Sequence, residues 1–136
     1  MDSLSRRERS ENMRRIRSKD MAPELAVRRL VHAAGYRYRL HRKDLPGKPD
    51  LVFPARGKVI FVHGCFWHQH SARKCGIVRK PKSNTGYWEM KLANNVRRDR
   101  RNRRALKRLG WDVLIVWECQ TRDPAKLEAR IRRFLG

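Results

Sequence analysis

The sequence has few acidic side chains, few cysteines and no long apolar run. Its 136 residues hold 13 Asp and Glu against 35 Lys and Arg, a formal net charge of +22 at pH 7. That excess favours a polyanionic partner, first nucleic acid and second an anionic membrane surface, because cations that neutralise phosphates release condensed counterions. The longest apolar run, Val113 to Trp117, is too short to span a bilayer, which takes roughly 20 residues. The polar, basic N-terminus predicts no signal peptide, so we expect a cytoplasmic protein.

The cysteine count is three, an odd number, which argues against a disulfide framework in a reducing compartment. Cys65, His70 and Cys75 fall in one loop, and Cys119 follows an apolar run. Two thiolates and an imidazole from a loop, with one more thiolate, can enclose a tetrahedral zinc ion that leaves no open position for catalysis. The sequence has no CxxC pair, so a buried apolar thiol at Cys119 with incidental loop residues stays an equal alternative.

Hydrophobic residues make up 40% of the chain, enough for one small core. Residues 1–20 contain few apolar side chains and are predicted to form a basic arm that becomes ordered on its partner. The arm carries seven cations: Arg6, Arg7, Arg9, Arg14, Arg15, Arg17 and Lys19. Residues 21–136 are predicted to form a single domain.

The apolar spacing predicts three helices and four strands. In chain order these are a helix from Asp20–Pro23 to Gly35, strands over Tyr36–His41, Asp50–Phe53 and Val59–His63, a long basic helix over Tyr87–Leu109, a buried central strand over Val113–Trp117 and a last helix that begins at Asp123–Pro124. This order predicts an α/β fold, a mixed sheet flanked by helices on both faces.

Two acids stand out because acids are so rare. Asp50 lies at the start of a strand after Lys48–Pro49, where its carboxylate could hold a hard cation such as Mg²⁺ or, alternatively, close a turn against a nearby cation. Asp99 interrupts a run of arginines and lies on the inward stripe set by Leu92 and Val96. An inward carboxylate needs a partner, either a histidine or an arginine of the same helix.

Two histidines near a strand end supply candidate bases. His63 and His68 flank Gly64–Trp67, and His68 is the stronger candidate for a general base near neutral pH. His32 and His41 lack such neighbours and are assigned structural roles. Three aromatic residues, Phe66, Trp67 and Trp88, are set among positive charge and could stack on bases or wedge between base pairs, although Trp88 also continues the apolar stripe of its helix.

Four collinear stretches together resemble the very-short-patch mismatch repair (Vsr) endonuclease family. They are Asn12–Arg14, Leu45–Asp50, His63–His68 and Gly110–Cys119. The resemblance covers about Ser10 to Cys119, and the combination is specific although no piece is so alone. It implies a restriction-endonuclease-like α/β core with a structural zinc site, and an activity that nicks one strand 5′ to the thymine of a T:G mismatch.

The resemblance also implies roles for individual residues. Asp50 and the main-chain oxygen of Val62 would hold a catalytic Mg²⁺, with Glu24 at the edge of the metal site through water. His68 would activate the attacking water. Asp99 would orient that histidine, and His63 would help to hold the phosphate region. The ligands of a structural Zn²⁺ would be Cys65, His70, Cys75 and Cys119.

For DNA, the resemblance makes Phe66, Trp67 and Trp88 a wedge beside the mismatch, with Met13 entering from the opposite groove. Lys91 and Asn95 would read the mismatch or its flanks. The implied partner is double-stranded DNA bound by a monomer in the bacterial cytoplasm, near the nucleoid, with mismatch-repair proteins as possible partners. The sequence departs from the family in a longer Gln69–Lys74 stretch, which leaves the loop partner of Cys75 open. It also lacks the acid and lysine usual in the wider nuclease group around Val62–Gly64, so catalysis would depend on His68.

Two other functions remain open on residues alone. A non-catalytic, zinc-stabilised nucleic-acid-binding protein accounts for the charge and the cysteines but gives Asp50, His68 and Asp99 no role. A nonspecific nuclease would cut matched DNA equally well.

Overall fold

The computed structural model describes residues 22–70 and 85–136. The predicted arm, residues 1–20, lies outside the described residues, as do Met13 and Cys75. The elements are α1 (residues 22–33), β1 (Arg39–Leu40), β2 (Leu51–Phe53), β3 (Lys58–His63), α2 (Thr85–Arg108), β4 (Asp112–Trp117) and α3 (Pro124–Leu135), with short 3₁₀ turns at Pro54–Arg56 and Glu118–Arg122. The predicted order of helices and strands is confirmed for the described residues.

The four strands form one mixed sheet in the order β1-β2-β3-β4. The first two pairings are antiparallel, and β3 pairs with β4 in parallel from Lys58 opposite Asp112 to His63 opposite Trp117. The β2–β3 connection turns at Gly57, whose φ of 64° is one that glycine adopts without strain. The parallel pair requires a crossover connection, and α2 lies in it.

The sheet carries helices on both faces, as predicted. On one face α1 and α3 pack against alternate strand residues in a cluster of Val27, Val31, Tyr36, Leu51, Phe53, Ile60, Val116, Leu127, Ile131 and Leu135. On the other face Leu106 of α2 packs against Leu45, Val52, Val59 and Phe61. Each fully buried aliphatic side chain contributes about 1.5–3 kcal/mol relative to exposure, so both faces stabilise the strand ends that carry polar residues.

The last helix begins as its sequence predicts. The Asp123 carboxylate accepts a hydrogen bond from the Lys126 backbone N–H at 3.2 Å, and Pro124 occupies the first turn. Such a cap satisfies a donor that has no partner inside the helix.

Two sequence predictions about strands are wrong. The first strand, predicted over Tyr36–His41, is only Arg39–Leu40, because the buried Tyr36 ring turns into the core, where its hydroxyl donates to the Gly136 carbonyl at 3.2 Å. His41, with a φ of 47°, ends the strand on the other side. The strand predicted to be central, β4, lies at the edge of the described sheet. Its continuous apolar run reflects contact with helices on both faces rather than a central position.

Among residues 22–70 and 85–136, no helix has the length and apolar character needed to cross a membrane.

Candidate active site and metal sites

A cleft of about 550 Å³ opens between α2 and the ends of β2 and β3. Asp50, His63, His68 and Asp99 all line it, although they come from four separate segments of the chain. The predicted acid and base therefore share one pocket. The cleft is also lined by four cations, Lys43, Lys48, Arg98 and Arg103, which the sequence did not single out from the many others. Cationic walls suit an anionic phosphate.

The loop before Asp50 is held against α2. Leu45 and Pro49 are buried, and Gly47 has a φ of 76°. A Cβ at Gly47 would lie 3.0 Å from the Asn102 Cβ, so a larger residue would be both strained and crowded. The close approach of this loop to α2 fixes where the Asp50 carboxylate enters the cleft.

His68 and Asp99 form a hydrogen-bonded pair. His68 Nδ1 lies 2.6 Å from Asp99 Oδ2, and both side chains are about one-fifth exposed. The turn Gly64–His70 presents the histidine, since its backbone N–H donates to the Gly64 carbonyl at 3.1 Å. A carboxylate on Nδ1 favours the tautomer that leaves Nε2 as the acceptor, and it stabilises the imidazolium once Nε2 takes a proton.

His63 lies flat against His68. The two rings stack with centroids 3.8 Å apart and planes 9° from parallel, and His63 is buried. Burial lowers the pKa of His63 to about 4, with smaller contributions from His68 and Arg103, so the ring is neutral at pH 7. Within the described part of the chain, its Nδ1 is a buried atom with no hydrogen-bond partner. A neutral ring facing the cleft can bond a substrate oxygen or water without adding charge.

Asp50 lies where strand β2 begins, and its carboxylate is largely buried. Burial raises the pKa of Asp50 to about 6; the nearby Glu24 also raises it, whereas the Val62 N–H, His41 and His68 lower it. The Val62 N–H donates to Asp50 Oδ2 at 2.7 Å. In an extended strand the N–H and C=O of one residue point to the same side, so the Val62 carbonyl faces the same edge as the carboxylate.

Glu24 on α1 approaches Asp50 through a residue that sequence reasoning missed. His41 Nε2 lies 2.5 Å from Glu24 Oε1 and 3.9 Å from Asp50 Oδ1. His41 was assigned a structural role because it lacks neighbours like those of His63 and His68, and nothing in the sequence shows that the chain turns there. Glu24 also pairs with Arg28 at 3.1 Å. Two carboxylates and a strand carbonyl are the hard oxygen donors that suit Mg²⁺, so these residues fit the implied cation.

A second donor cluster brings together three of the four predicted zinc ligands. The distance from His70 Nδ1 is 3.7 Å to Cys65 Sγ and 3.4 Å to Cys119 Sγ. Tetrahedral zinc with ordinary bond lengths separates a sulfur ligand from a nitrogen ligand by about 3.6 Å. Donor types and spacing therefore fit zinc. The fourth predicted ligand, Cys75, lies outside the described residues.

The predicted aromatic wedge forms one cluster beside the cleft. Centroids of Phe66, Trp67 and Trp88 lie 5.1–5.8 Å apart, and Tyr87, which the sequence analysis missed, adds a ring 5.4 Å from Trp88. The Lys91 ammonium lies 5.6–5.8 Å from three of these rings, a cation–π distance.

The remaining predicted DNA-reading residue, Asn95, supports the cluster from α2. Its amide donates to the Trp67 carbonyl at 3.2 Å. Lys91 and Asn95 thus contact the aromatic segment itself in this DNA-free structure.

The sequence of this chain is similar to those of several known DNA endonucleases. A family model described as DNA mismatch endonuclease Vsr matches residues 1–74. The chain is 52% identical to Type II nicking enzyme V.XorIIP of Xanthomonas oryzae, over 98% of this chain and 96% of that protein. It is 40% identical to Type II nicking enzyme V.NmeAIP of Neisseria meningitidis, over 98% and 94%. It is 44% identical to DNA mismatch endonuclease Vsr of Escherichia coli, over 88% and 74%. The chain belongs to the Vsr family of DNA mismatch endonucleases and is an enzyme of the endonuclease class.

Proposed function

We propose that this protein nicks one strand of duplex DNA 5′ to the thymine of a T:G mismatch, with Mg²⁺ as the catalytic cation. The observation that carries the proposal is the His68–Asp99 pair, which lies in the same cation-lined cleft as the Asp50 carboxylate. A base and a cation-binding acid on either side of one pocket are what phosphodiester hydrolysis needs.

The side chains have separate tasks in this mechanism. A Mg²⁺ ion bound by Asp50 and the Val62 carbonyl would polarise the scissile phosphate and lower the pKa of the attacking water. His68 Nε2 accepts the proton of that water, and Asp99 stabilises the resulting imidazolium. The neutral His63 would donate a hydrogen bond from its ring N–H to a phosphate oxygen. Lys43, Lys48, Arg98 and Arg103 line the walls and balance the charge of the phosphate.

Mismatch selectivity is assigned to the aromatic cluster. Inserting aromatic side chains into a duplex costs unstacking energy, which is smaller at a mispair than at a Watson–Crick pair. Phe66 and Trp67 lie directly before His68 in the chain. A step between base pairs that this cluster opened would therefore lie next to the histidine that activates water. We propose that Lys91 and Asn95 position the wedge, with Met13 contributing from the arm.

Zinc is proposed as a structural ion. Cys65, His70 and Cys119 join the His68 turn to the end of β4, and Cys75 completes the set. Four protein ligands would leave no coordination position for substrate. The ion thus stabilises the loop that carries the catalytic histidine. We further infer that the protein acts as a monomer on chromosomal DNA in the cytoplasm.

The test is a nicking assay with a labelled T:G duplex and a matched T:A duplex in the presence of Mg²⁺. Wild type should nick the T:G duplex alone, 5′ to the thymine. His68→Ala should lower nicking at least about 100-fold, since a positioned base contributes about 10²–10⁴, while mismatch binding persists. His32→Ala, at an exposed histidine of α1, is the matched control and should nick like wild type.

Three results would contradict the proposal. Binding of the T:G duplex without a nick in wild type would support the non-catalytic binding protein. Equal cutting of both duplexes would support a nonspecific nuclease. Undiminished nicking by the His68 variant would show that the protein is an endonuclease in which another residue acts as the general base.

A further inference from the structure

Three potential metal donors from three separate segments of the chain converge around Asp50, which lines the cleft. Glu24 comes from α1, His41 from the segment after β1 and Asp50 from the start of β2. One donor atom of each lies within 4.8 Å of the other two. We propose that His41 is a direct ligand of the catalytic cation beside Asp50 and Glu24, and that its nitrogen makes the site favour Mn²⁺ over Mg²⁺. This inference rests on the proposed cation-dependent function.

The backbone at His41 directs the ring toward the two acids. His41 has a φ of 47°, a left-handed conformation that is uncommon for residues other than glycine. Its N–H donates to the Asp50 carbonyl at 3.4 Å, which joins the His41 and Asp50 segments. The ring thus reaches Glu24, seventeen residues earlier in the chain, instead of extending along the strand.

The charge and exposure of the cluster suit a cation. Two carboxylates meet one imidazole, and among the described residues Arg28 forms its ion pair with Glu24 and not with Asp50. The His41 side chain is half exposed, whereas Glu24 is 12% exposed, so the histidine faces the solvent from which an ion would enter. Neighbouring ligands of a six-coordinate ion lie about 3 Å apart. His41 Nε2 lies 2.5 Å from Glu24 Oε1 and 3.9 Å from Asp50 Oδ1, one separation shorter and one longer than that value.

The donor types lead to a selectivity. Mg²⁺ prefers oxygen ligands and gives up its water shell reluctantly. An imidazole nitrogen favours transition metals, whose affinity for such sites rises from Mn²⁺ onward. A site of two carboxylates, a carbonyl and one imidazole would still accept Mg²⁺ but bind Mn²⁺ more tightly.

The experiment measures ion binding in the full-length, zinc-loaded protein without DNA. Free Mn²⁺ is followed by its electron paramagnetic resonance signal, and Mg²⁺ binding by calorimetry. His41→Gln keeps a donor for Glu24 but removes the nitrogen ligand. We expect it to raise the Mn²⁺ Kd about tenfold or more and the Mg²⁺ Kd less than about threefold. His32→Gln, the matched control on α1, should change neither.

Asp50→Asn separates failure of this inference from failure of the proposed function. If Asp50→Asn abolishes binding of both ions and His41→Gln alters neither, the cation site stands and the His41 inference is overturned. If Asp50→Asn leaves both ions bound as in wild type, the proposed cation site itself is overturned. Equal weakening of both ions by His41→Gln would show a positioning contact through Glu24 instead of a nitrogen ligand, and would also overturn the inference.

Discussion

At the scale of single residues, the cleft places charged groups where burial disfavours charge. Asp50 has a pKa near 6 because it is buried, and His63 has one near 4 for the same reason. The two shifts act oppositely on stability. The fold binds a proton at Asp50 more tightly than the unfolded chain does, so that contribution is lost as pH rises through 6. The neutral His63 stabilises the fold above pH 6.5, and that contribution is lost as pH falls toward 4.

Asp50→Asn should therefore stabilise the protein while abolishing nicking. Removing a buried carboxylate charge should raise the free energy of unfolding by about 2–3 kcal/mol at pH 8. The gain should shrink as pH falls through 6 and approach zero only near pH 3, where Asp50 is mostly protonated in both states because the unfolded pKa is about 3.9. Urea unfolding at both pH values, without added divalent cation, measures the effect. Asp112→Asn changes an exposed acid and should have no such effect. A less stable Asp50 variant at pH 8 would contradict the assigned burial cost.

Asp99→Asn tests the hydrogen bond that orients His68. An amide at this position can donate to Nδ1, which would move the ring proton to Nε2 and remove the acceptor that water needs. The maximal nicking rate should fall about 10²–10⁴-fold with little change in the affinity for T:G duplex. Single-turnover kinetics at saturating enzyme separate the two quantities. A change in affinity with an unchanged rate would place Asp99 in DNA binding instead.

At the scale of elements, the sequence predicted the helices well because their apolar spacing is long and regular. The strand predictions were weaker. Tyr36 and Leu40 alternate like strand residues, yet the Tyr36 ring enters the core and Leu40 is 41% exposed. The run Val113–Trp117 predicted burial but not the position of the strand in the sheet. A continuous apolar run is expected for a central strand and equally for an edge strand that is covered by helices on both faces.

The site residues show the same contrast between what a local pattern predicts and what depends on tertiary contacts. The Asp50 and His68 roles depended on motifs, and the structure brings both into one cleft. His41 went unrecognised because its proposed role as a ligand depends on a left-handed backbone and on a contact with α1, and the local sequence pattern encodes neither of them. Tyr87 was missed because it extends an aromatic cluster that forms only when α2 meets the Phe66–Trp67 turn.

Cys119→Ser tests the proposed zinc site, whose donors join this turn to the end of β4. The variant should bind zinc at least about tenfold more weakly, and its melting temperature should fall by about 5–10 °C because metal binding is coupled to folding. Zinc content by atomic absorption and thermal unfolding are the measurements. A strong chelator should destabilise wild type and have little further effect on the variant. Full zinc content with an unchanged melting temperature would exclude Cys119 as a ligand.

At the scale of the whole molecule, the net charge of +22 includes a row of arginines on α2. One exposed stripe of α2 consists of Arg97, Arg100, Arg101, Arg104 and Arg108. These residues recur at helical spacing, beside the face that carries Asp99 into the cleft. A row of guanidinium groups about 16 Å long matches roughly half a turn of duplex.

The Arg100→Gln/Arg104→Gln variant should weaken duplex binding equally for T:G and T:A, since phosphate contacts carry no sequence information. The slope of log affinity against log salt concentration should become less steep by about 2. Fluorescence anisotropy between about 50 and 200 mM salt gives the slope. The matched control, Arg132→Gln/Arg133→Gln, removes two exposed arginines from α3 on the opposite face. Equal changes of the salt slope in both variants would show that DNA affinity depends on the total positive charge of the protein and not on the position of the arginines on α2.

The aromatic cluster and the His68–Asp99 pair are carried by the same two segments. One segment holds Phe66, Trp67 and His68, and the other, α2, holds Trp88 and Asp99 three helical turns apart. Under the proposed function, a duplex that displaced the rings would also move one of the two segments that hold the 2.6 Å hydrogen bond between His68 and Asp99. DNA binding and the positioning of the proposed catalytic pair would then be coupled, and a duplex that does not admit the rings would leave His68 and Asp99 out of alignment.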